Sequence, residues 1–339
     1  YSFLVKDVKD LAGARRRAFK IAQTGRPGPV LIDITKDVTA NTTDYVKMTP
    51  KPIERVTATI REEDVERAVA LIEESKKPYV FVGGGAVASN ASEELRKFVK
   101  KIDAPVADSL MGKGAFDGTD DLYTGMLGMH GTKTSNYGVS ECDLLITIGA
   151  RFSDRVTGNT QKFASKAKIL QFDVDDAEIN KNIKTTASVI GDAQEILKRV
   201  NAKLSQADRK EWVSHIMKMK DKYPMTYHTD ELTGPYIVEK IYELTGGDAI
   251  ISTEVGQHQM WAAQYYKFRN PRTLLTSGGL GTMGYGLGAA IGAQVGCRDK
   301  KVFNIAGDGC FRMNMNEIAT ATRYNIPVIQ VVFNNHVLG

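Results

Sequence analysis

The sequence predicts an α/β protein that contains two doubly wound parallel-sheet domains and the tail of a third α/β domain. Two observations predict this class. Short apolar runs that are typical of buried strands alternate with amphipathic helical segments, which is the pattern of parallel sheets covered by helices. The length of 339 residues also favours two or three folding units over one.

Residues 1–40 predict one helix and one strand, at Val8–Gln23 and Val30–Ile34, joined by a Gly- and Pro-rich turn. One helix and one strand cannot bury a core of their own, so we expect this segment to be the end of a larger domain. The polar residues 41–60, which contain Pro50 and Pro52, predict a linker.

Residues 61–200 predict a complete doubly wound domain. The expected strands and helices are Tyr79–Val82, Pro105–Ala107, Leu144–Ile148 and Ile169–Val174, and Glu63–Glu74 and Glu93–Lys101. Asn90 and Glu93 have the spacing of a capping box at the start of the second helix. The charged residues 201–232 predict a second linker.

Residues 233–339 predict another α/β domain, which we expect to be C-terminally incomplete. Its expected strands are Ala249–Ser252, Val302–Ala306 and Val328–Phe333. Apolar residues between Met315 and Thr322 have helical spacing, so the last two strands and this helix form a predicted βαβ unit.

The composition narrows the classes of function. The net charge of +5 is spread among 40 acidic residues, which is typical of solvated helix faces and predicts no nucleic-acid partner. No apolar run reaches the roughly 18–20 residues of a membrane span, so we expect no membrane partner. The three cysteines, Cys142, Cys297 and Cys310, are far apart, which predicts a reducing compartment and no disulfide framework. The start at Tyr1 without Met and the stop at Gly339 lead us to expect a chain truncated at both ends.

A Gly-Asp-Gly turn and an Asn-Asn pair follow the two strands of the predicted βαβ unit, at Gly307-Asp308-Gly309 and Asn334-Asn335. Both are expected at the same edge of the sheet, where open α/β sheets bind ligands. The glycines allow the backbone to approach a phosphate, and the following helix can direct N–H groups at it. Asp308 and Asn335 offer the oxygen ligands that Mg²⁺ prefers. From the residues alone, a generic strand-to-helix turn remains the alternative.

The turn, the 24 intervening residues and the Asn pair together resemble the thiamine-diphosphate (ThDP) motif of ThDP-dependent decarboxylases and carboligases. This resemblance implies that Gly307, Asp308 and Gly309 contact ThDP. It further implies that Mg²⁺ is bound by Asp308, Asn335 and the carbonyl of Val337.

Two further runs, Thr253–Trp261 and Ser277–Gly286, resemble the acetohydroxyacid synthase (acetolactate synthase) large catalytic subunit nearly residue for residue. The resemblance implies additional ThDP contacts from Val255, Gly256, Gln257, His258, Gly281 and Met283. It places the glutamate that activates ThDP in a domain before Tyr1, so that this chain has no catalytic residue of its own and Glu254 only borders the site. Lys36 matches a lysine that lines the substrate channel in this family.

Arg151 and Arg155 follow the predicted strand at Leu144–Ile148, where two arginines can clamp a pyrophosphate or simply be solvated. The Gly83-Gly84-Gly85 run lacks the G-x-G-x-x-G pattern, which argues against a plain NAD site. The Arg-Phe-Ser-Asp-Arg-Val-Thr-Gly run resembles the FAD-binding signature of acetohydroxyacid synthases, although Ser153 departs from the usual Asp. The implied FAD contacts are Arg26, Gly83, Gly84, Gly85, Gly128, Met129, His130, Arg151, Arg155, Asp173, Val174 and Asp192.

The resemblance covers the whole chain and implies a role for each segment. It makes residues 1–40 the remnant of a pyrimidine-binding domain, residues 61–200 a central FAD-binding domain and residues 233–339 the ThDP diphosphate-binding domain. In this family the FAD is architectural and has no net redox role.

The implied reaction joins two 2-oxoacids with loss of CO₂. Two pyruvates give acetolactate, or pyruvate and 2-oxobutyrate give acetohydroxybutyrate, as the first common step of isoleucine, valine and leucine biosynthesis. The implied partners are a second copy in a homodimer or homotetramer and a regulatory small subunit. The implied location is the cytoplasm, or an organelle in a eukaryote.

We expect the present chain to be inactive alone, because it lacks the activating glutamate. Two alternatives stay open: another ThDP carboligase such as glyoxylate carboligase, or a non-catalytic fragment that binds nucleotides or mediates dimerisation.

Overall fold

The computed structural model describes residues 1–49, 52 and 57–337. Pro50 and five other positions of the predicted 41–60 linker, and the last two residues of the predicted 233–339 domain, lie outside the described residues. Within these ranges the chain forms three parallel sheets of two, six and four strands, taken in chain order.

The amino-terminal unit is a small parallel βα arrangement. Its elements are β1 (Ser2–Val5), α1 (Val8–Gln23), β2 (Leu31–Ile34) and α2 (Lys36–Ala40). Asp7 caps α1 by accepting a hydrogen bond from the backbone N–H of Lys9 at 2.9 Å. Val5, Ala14 and Val38 are buried together and form its small core.

The central unit is built on the six-stranded sheet. Its elements are α3 (Glu62–Glu74), β3 (Pro78–Val82), α4 (Gly84–Ala88), α5 (Ser92–Ile102), β4 (Val106–Asp108), β5 (Tyr123–Met126), α6 (Lys133–Glu141), β6 (Leu144–Ile148), α7 (Asp154–Thr157), β7 (Lys168–Asp173), β8 (Ala187–Ile190), α8 (Ala193–Lys203) and α9 (Lys210–Lys222).

All neighbouring strands of this sheet are parallel, in the order β5-β4-β3-β6-β7-β8. The order reverses between β3 and β6, which creates a crevice at their carboxyl ends. Successive residues of β3 face opposite sides of the sheet: Val80 and Val82 pack into one core cluster, and Tyr79 and Phe81 pack into the other. The sheet is therefore buried on both faces, as parallel sheets require.

The predicted 201–232 linker contains helix α9, which packs on the central sheet. Trp212 and Ile216 are buried in the same cluster as Phe81. The indole N–H of Trp212 donates a hydrogen bond to the carbonyl of Pro78 at 2.8 Å, and Arg209 donates to the carbonyl of Ile72 at 2.7 Å. By its packing, this helix is part of the central core.

The carboxyl-terminal unit contains the four-stranded sheet. Its elements are α10 (Gly234–Thr245), β9 (Ala249–Thr253), α11 (Gln257–Tyr265), β10 (Leu274–Leu275), α12 (Tyr285–Gly296), β11 (Lys301–Gly307), α13 (Asp308–Asn314), α14 (Ile318–Arg323) and β12 (Ile329–Phe333). The parallel order is β10-β9-β11-β12, so the strand order reverses between β9 and β11. The two large sheets, each wound with helices on both faces, confirm the predicted fold class.

The predicted capping box at Asn90 and Glu93 is wrong. Helix α5 has Ala91 as its N-cap residue, and no side chain caps it. Asn90 has a φ of 58°, and its Oδ1 accepts a hydrogen bond from Arg272 of the carboxyl-terminal unit at 3.0 Å. The carboxamide therefore links two units instead of capping the helix.

None of the helices within the described ranges combines the length and the apolar character that a bilayer crossing requires.

If α9 belongs to the central core, Trp212→Ala should reduce the free energy of unfolding of that unit by about 3–5 kcal/mol, because it removes a buried aromatic side chain and leaves a cavity. Chemical denaturation followed by circular dichroism measures this change. Ser214→Ala on the exposed face of the same helix should change stability by less than about 0.5 kcal/mol. If both substitutions change the free energy of unfolding by equally small amounts, α9 is a linker and not part of the central core.

Candidate functional site

A cavity of about 270 Å³ opens at the carboxyl ends of β9 and β11, where the strand order of the carboxyl-terminal sheet reverses. The residues that line it are Val255, Gly256, Gln257, His258, Trp261, Met283, Gly307, Asp308, Gly309, Cys310, Phe333, Asn335 and Val337. All predicted ThDP and Mg²⁺ residues except Gly281 are in this set. Gly281 has a φ of 62°, and a Cβ built on it would lie 3.9 Å from Val255 Cγ1, so it lies close to the lining.

Helix α11 begins at the cavity. Its N-cap residue Gly256 has a φ of 145°, which favours glycine, and no side chain caps the helix. Gly256, Gln257 and His258 all line the cavity, so the uncapped N–H groups of the first turn are beside it. This arrangement favours an anion such as a diphosphate.

His258 is a buried imidazole with an unused polar atom. Its side chain is almost fully buried, and its Nε2 has no hydrogen-bond partner among the described residues. Burial lowers the pKa of His258 from its ordinary value of 6.5 to about 4, so the ring is neutral at pH 7. A Cβ built on Gly307 would lie 3.1 Å from the imidazole Cε1, so a side chain larger than glycine there would crowd the ring. An unpartnered buried nitrogen at a cavity wall fits a polar ligand.

Asp308, Asn335 and Val337 all line the cavity. The amide oxygen of Asn335 accepts a hydrogen bond from the backbone N–H of Val337 at 3.3 Å, which holds the loop after β12 in a turn. One carboxylate, one amide oxygen and one backbone carbonyl form a donor set that suits Mg²⁺ alongside phosphate oxygens. No cluster of three or more His, Cys, Asp or Glu side chains suited to a metal is present in the described part of the chain, so any metal here depends on such a mixed set.

Glu254 positions the glycine-rich run without lining the cavity. Its carboxylate is buried and accepts hydrogen bonds from the backbone N–H groups of Gly284 at 2.7 Å and Leu287 at 3.1 Å. These groups lie at the start of α12, where a carboxylate is favourable. The contact fixes Met283 relative to β9, and it occupies both carboxylate oxygens.

Three lining residues were not predicted from the sequence. The rings of Trp261 and Phe333 pack in a tilted arrangement with centroids 5.5 Å apart and form an apolar part of the lining. Cys310 donates a hydrogen bond from its thiol to the carbonyl of Val255 at 3.0 Å, and burial raises the pKa of this thiol. Cys310 directly follows Gly309, so its position in the chain was the available signal.

The residues predicted to bind FAD lie along the carboxyl edge of the central sheet, with Arg26 joining them from the amino-terminal unit. Gly83–Gly85 follow β3, Gly128–His130 follow β5, and Arg151 and Arg155 follow β6. Asp173 ends β7 and Val174 follows it, and Asp192, after β8, accepts hydrogen bonds from the backbone N–H groups of Gln194 and Glu195 in the first turn of α8. This edge includes the crevice between β3 and β6 where the strand order reverses.

The loops at this crevice are in backbone contact. The N–H of Gly85 donates to the carbonyl of Gly149 at 2.8 Å, and a Cβ built on Gly83 would lie 2.3 Å from the same oxygen. The N–H of Met129 donates to the carbonyl of Arg155 at 2.8 Å, which brings the loop after β5 to the arginine segment. Three separate loops therefore meet at this crevice through close backbone contacts.

Charged groups at this edge differ in their pairing. Arg151 and Arg155 are exposed and have no ion-pair partner within the described ranges, so they are available to an anion. Arg26 is already paired: it donates to Asp175 at 3.0 Å and to Glu178 at 2.6 Å, and these hydrogen bonds raise the pKa of its guanidinium. Burial raises the pKa of the Asp173 carboxyl.

Lys36 does not join either cluster. It is exposed at the start of α2 in the amino-terminal unit, and it does not line the 270 Å³ cavity.

Comparison with known families identifies two matching family models. Residues 65–200 match the model described as "Thiamine pyrophosphate enzyme, central domain". Residues 254–339 match "Thiamine pyrophosphate enzyme, C-terminal TPP binding domain".

Curated relatives align with the whole chain. It is 47% identical to acetolactate synthase 2, chloroplastic, of Nicotiana tabacum, and covers 53% of that protein. It is 44% identical to the acetolactate synthase large subunit of Corynebacterium glutamicum and covers 56% of it. It is 42% identical to the probable acetolactate synthase large subunit of Methanocaldococcus jannaschii and covers 60% of it. The chain thus spans about half the length of the curated relatives it matches.

The depressed pKa of His258 predicts a loss of stability in acid. Between pH 6.5 and about 4 the unfolded chain binds a proton at this ring and the folded chain does not. The stability linked to the neutral imidazole is therefore present above pH 6.5 and is lost as the pH falls to about 4, by roughly 3 kcal/mol. Urea unfolding at pH 7, 5.5 and 4 in metal-free buffer measures the loss.

The matched variants are His258→Gln, which should lose less stability over this range, and the exposed His228→Gln, which should behave as the unmodified chain. The assignment fails if all three proteins lose the same stability in acid.

Proposed function

This chain belongs to the thiamine pyrophosphate enzyme family, and on that premise we propose that it provides the central and diphosphate-binding regions of an acetolactate synthase. One observation carries the proposal: Asp308, Asn335, His258 and the start of α11 converge on one cavity at the strand-order reversal. The family match and full-length alignment with acetolactate synthases support it.

In this proposal the cavity holds the diphosphate end of ThDP with Mg²⁺. The first turn of α11 and the Gly307–Gly309 turn offer backbone N–H groups, and His258 offers a neutral nitrogen that lacks a partner. Asp308, Asn335 and the Val337 carbonyl supply oxygen ligands to Mg²⁺, while Met283 and Gly281 border the ring system. When bound, ThDP supplies the carbon nucleophile at which a 2-oxoacid loses CO₂.

The carboxyl edge of the central sheet binds FAD in the same proposal. Arg151 and Arg155 pair with the pyrophosphate, and the glycine loops at Gly83–Gly85 and Gly128 allow a close approach of the nucleotide. The pairing of Arg26 with two carboxylates supports a role in holding the loop after β7 next to the nucleotide. The FAD serves as an architectural element.

The segment roles belong to this proposal as well. Residues 1–40 are the end of a pyrimidine-binding domain, residues 61–200 form the FAD-binding domain, residues 233–339 form the ThDP diphosphate-binding domain, and Lys36 borders the substrate channel. Because α9 packs in the central core, we extend the second of these domains to include residues 210–222.

The whole protein converts two pyruvates to acetolactate and CO₂, or pyruvate and 2-oxobutyrate to acetohydroxybutyrate and CO₂, in branched-chain amino-acid biosynthesis. Its partners are further copies of the subunit and a regulatory subunit. It acts in the cytoplasm of a prokaryote or in an organelle of a eukaryote, since the relatives include chloroplastic and bacterial proteins.

Two described carboxylates lie at or near the cavity, Asp308 and Glu254. Within the described ranges Asp308 is the only carboxylate that lines it, and the nearby Glu254 accepts from two backbone N–H groups. We therefore propose that the carboxylate that activates ThDP comes from outside the described residues, and that this chain binds cofactors without turning over pyruvate.

Asp308→Ala tests the ThDP proposal. Loss of the one carboxylate that lines the cavity within the described ranges should abolish Mg²⁺-dependent ThDP binding in calorimetry. FAD binding, measured without ThDP, should stay unchanged, because the two sites lie on different sheets. Asp299→Ala, an exposed carboxylate in the loop before β11, is the matched control and should bind both cofactors. Undiminished ThDP binding by the Asp308 variant would refute the metal assignment.

Arg151→Ala and Arg155→Ala test the FAD proposal. Each substitution removes a charge-assisted contact to the pyrophosphate, worth roughly 1.5–3 kcal/mol, so flavin affinity should fall by a factor of about 10–100. Flavin fluorescence on titration measures the affinity. The exposed Arg323→Ala, in the other sheet's unit, should bind flavin normally; equal affinities in all three variants would place the flavin elsewhere.

A further inference from the structure

The segment from Ser109 to Gly118, which we call the bridge segment, runs from the central sheet to the carboxyl-terminal unit. At its start, the N–H of Ser109 donates to the carbonyl of Val82 at 2.8 Å. A Cβ built on Gly112 would lie only 2.4 Å from the same oxygen, so Gly112 packs directly on the end of β3. The bridge segment is therefore seated beside the Gly83–Gly85 loop.

The far end of the bridge segment is fixed to the carboxyl-terminal unit. The N–H of Gly118 donates to the carbonyl of Phe268 at 2.9 Å. A Cβ built on Gly114, which has a φ of 77°, would lie 2.1 Å from the carbonyl oxygen of Asn270. No side chain fits at this contact, so the two backbones are held at a short separation.

A buried charged cluster holds the middle of the bridge segment. The ammonium of Lys113 lies 3.1 Å from Asp108 Oδ1 and donates to the hydroxyl of Tyr123 at 2.7 Å. The Tyr123 hydroxyl in turn donates to Asp108 Oδ2 at 2.9 Å. Because a buried pair of this kind must keep its partners in place to offset the cost of desolvation, it restricts the position of the neighbouring Met111 backbone.

Met111 contacts both candidate cofactor sites. A Cβ built on Gly84 would lie 3.0 Å from the Cβ of Met111, and one built on Gly278 would lie 2.8 Å from its Sδ. Gly84 belongs to the predicted FAD loop, and Gly278 begins the glycine-rich run that leads to Met283 at the ThDP cavity. The Met111 side chain thus lies between the two loops, within contact distance of both.

Helix α11 provides a second connection between the sites. Its first residues, Gln257 and His258, line the ThDP cavity. Near its other end, the amide of Gln264 donates to the carbonyl of His130 in the predicted FAD loop at 2.9 Å. Nine residues of helix therefore join the two edges as a short rigid element.

We propose that Met111 is a positioning residue that couples the nucleotide site on the central sheet to the ThDP site on the carboxyl-terminal sheet. The inference rests on the proposed function. When FAD occupies the Gly83–Gly85 loop, Met111 is confined against Gly278, and the glycine-rich run that carries Met283 is held in the shape that binds ThDP. By linkage, each cofactor then strengthens binding of the other by the same factor. The coupling gives FAD a role in a reaction that makes no use of its redox chemistry.

Amide hydrogen exchange of this chain with and without FAD tests the coupling without requiring activity. FAD should slow exchange in peptides that cover residues 83–85 and 149–155, and also in the peptide that covers residues 277–284. In Met111→Ala the slowed exchange at residues 83–85 and 149–155 should remain, and the slowed exchange at residues 277–284 should be lost. Met111 is 49% exposed, so its truncation removes little core packing and the variant should fold.

Three further variants define the outcomes. Met111→Leu keeps a side chain of similar volume and should retain both protections, and the exposed Met48→Ala is the methionine control. Gln264→Ala tests the second connection and should reduce the protection that FAD confers on the first turn of α11.

Protection of residues 277–284 that survives in Met111→Ala would overturn the role of Met111, as would its absence from the FAD-bound unmodified chain. A chain that shows no FAD protection at residues 83–85 and 149–155 would instead contradict the proposed flavin site, and the coupling with it.

Discussion

A side chain at Gly83, Gly85 or Gly149 would overlap the backbone of the facing loop, and the central unit depends on the absence of such side chains. With only hydrogen atoms at these positions, the chain segments leaving β3 and β6 approach closely enough for the Gly85 N–H to reach the Gly149 carbonyl. The base of the crevice between these segments is therefore formed by backbone atoms. In the carboxyl-terminal sheet, Gly307 packs instead against a side chain, the imidazole of His258. In both sheets a closely packed glycine lies where the strand order reverses, so tight packing and ligand access occur at the same topological feature.

Elements with a strong periodic pattern could be predicted from the sequence, and weakly patterned ones could not. Helix α1 and strand β6 have the predicted bounds, because one is amphipathic throughout and the other is a run of Leu and Ile interrupted only by Thr147. Strands β5 and β8 contain Gly, Ser or Thr beside apolar residues and have no clear alternation. Helix α9 was not predicted, because its sequence is highly charged. Only Trp212 and Ile216 are buried in it, and the many lysines around them are typical of a linker. Asn90 shows the opposite error, since a local spacing rule was overridden by a partner 182 residues away.

The convergence of Asp308, Asn335 and His258 could be anticipated because strand ends in a parallel sheet meet at one edge, whatever their separation in sequence. The contacts that shape the site could not be anticipated from the sequence. The bonds from Gly284 and Leu287 to Glu254 span 30 and 33 residues, and no short motif records them. The aromatic pair of Trp261 and Phe333 and the position of Met111 between two glycines also depend on three-dimensional packing. Sequence patterns therefore predicted which residues meet at the cavity, whereas the contacts that hold those residues in place depend on the three-dimensional packing.

The hydrogen bond from Trp212 to Pro78 forms late during synthesis of the chain. The two residues are 134 positions apart, and the indole closes the face of the sheet that β3 begins. At translation rates of about 5–20 residues per second, roughly 7–27 s pass between the synthesis of β3 and that of its last covering helix. During that interval one face of the nascent sheet, including Phe81, has no α9 to cover it. Until α9 is made, earlier elements such as α6 cover this face of the central unit only in part. Apolar surface exposed in this way favours chaperone binding and aggregation.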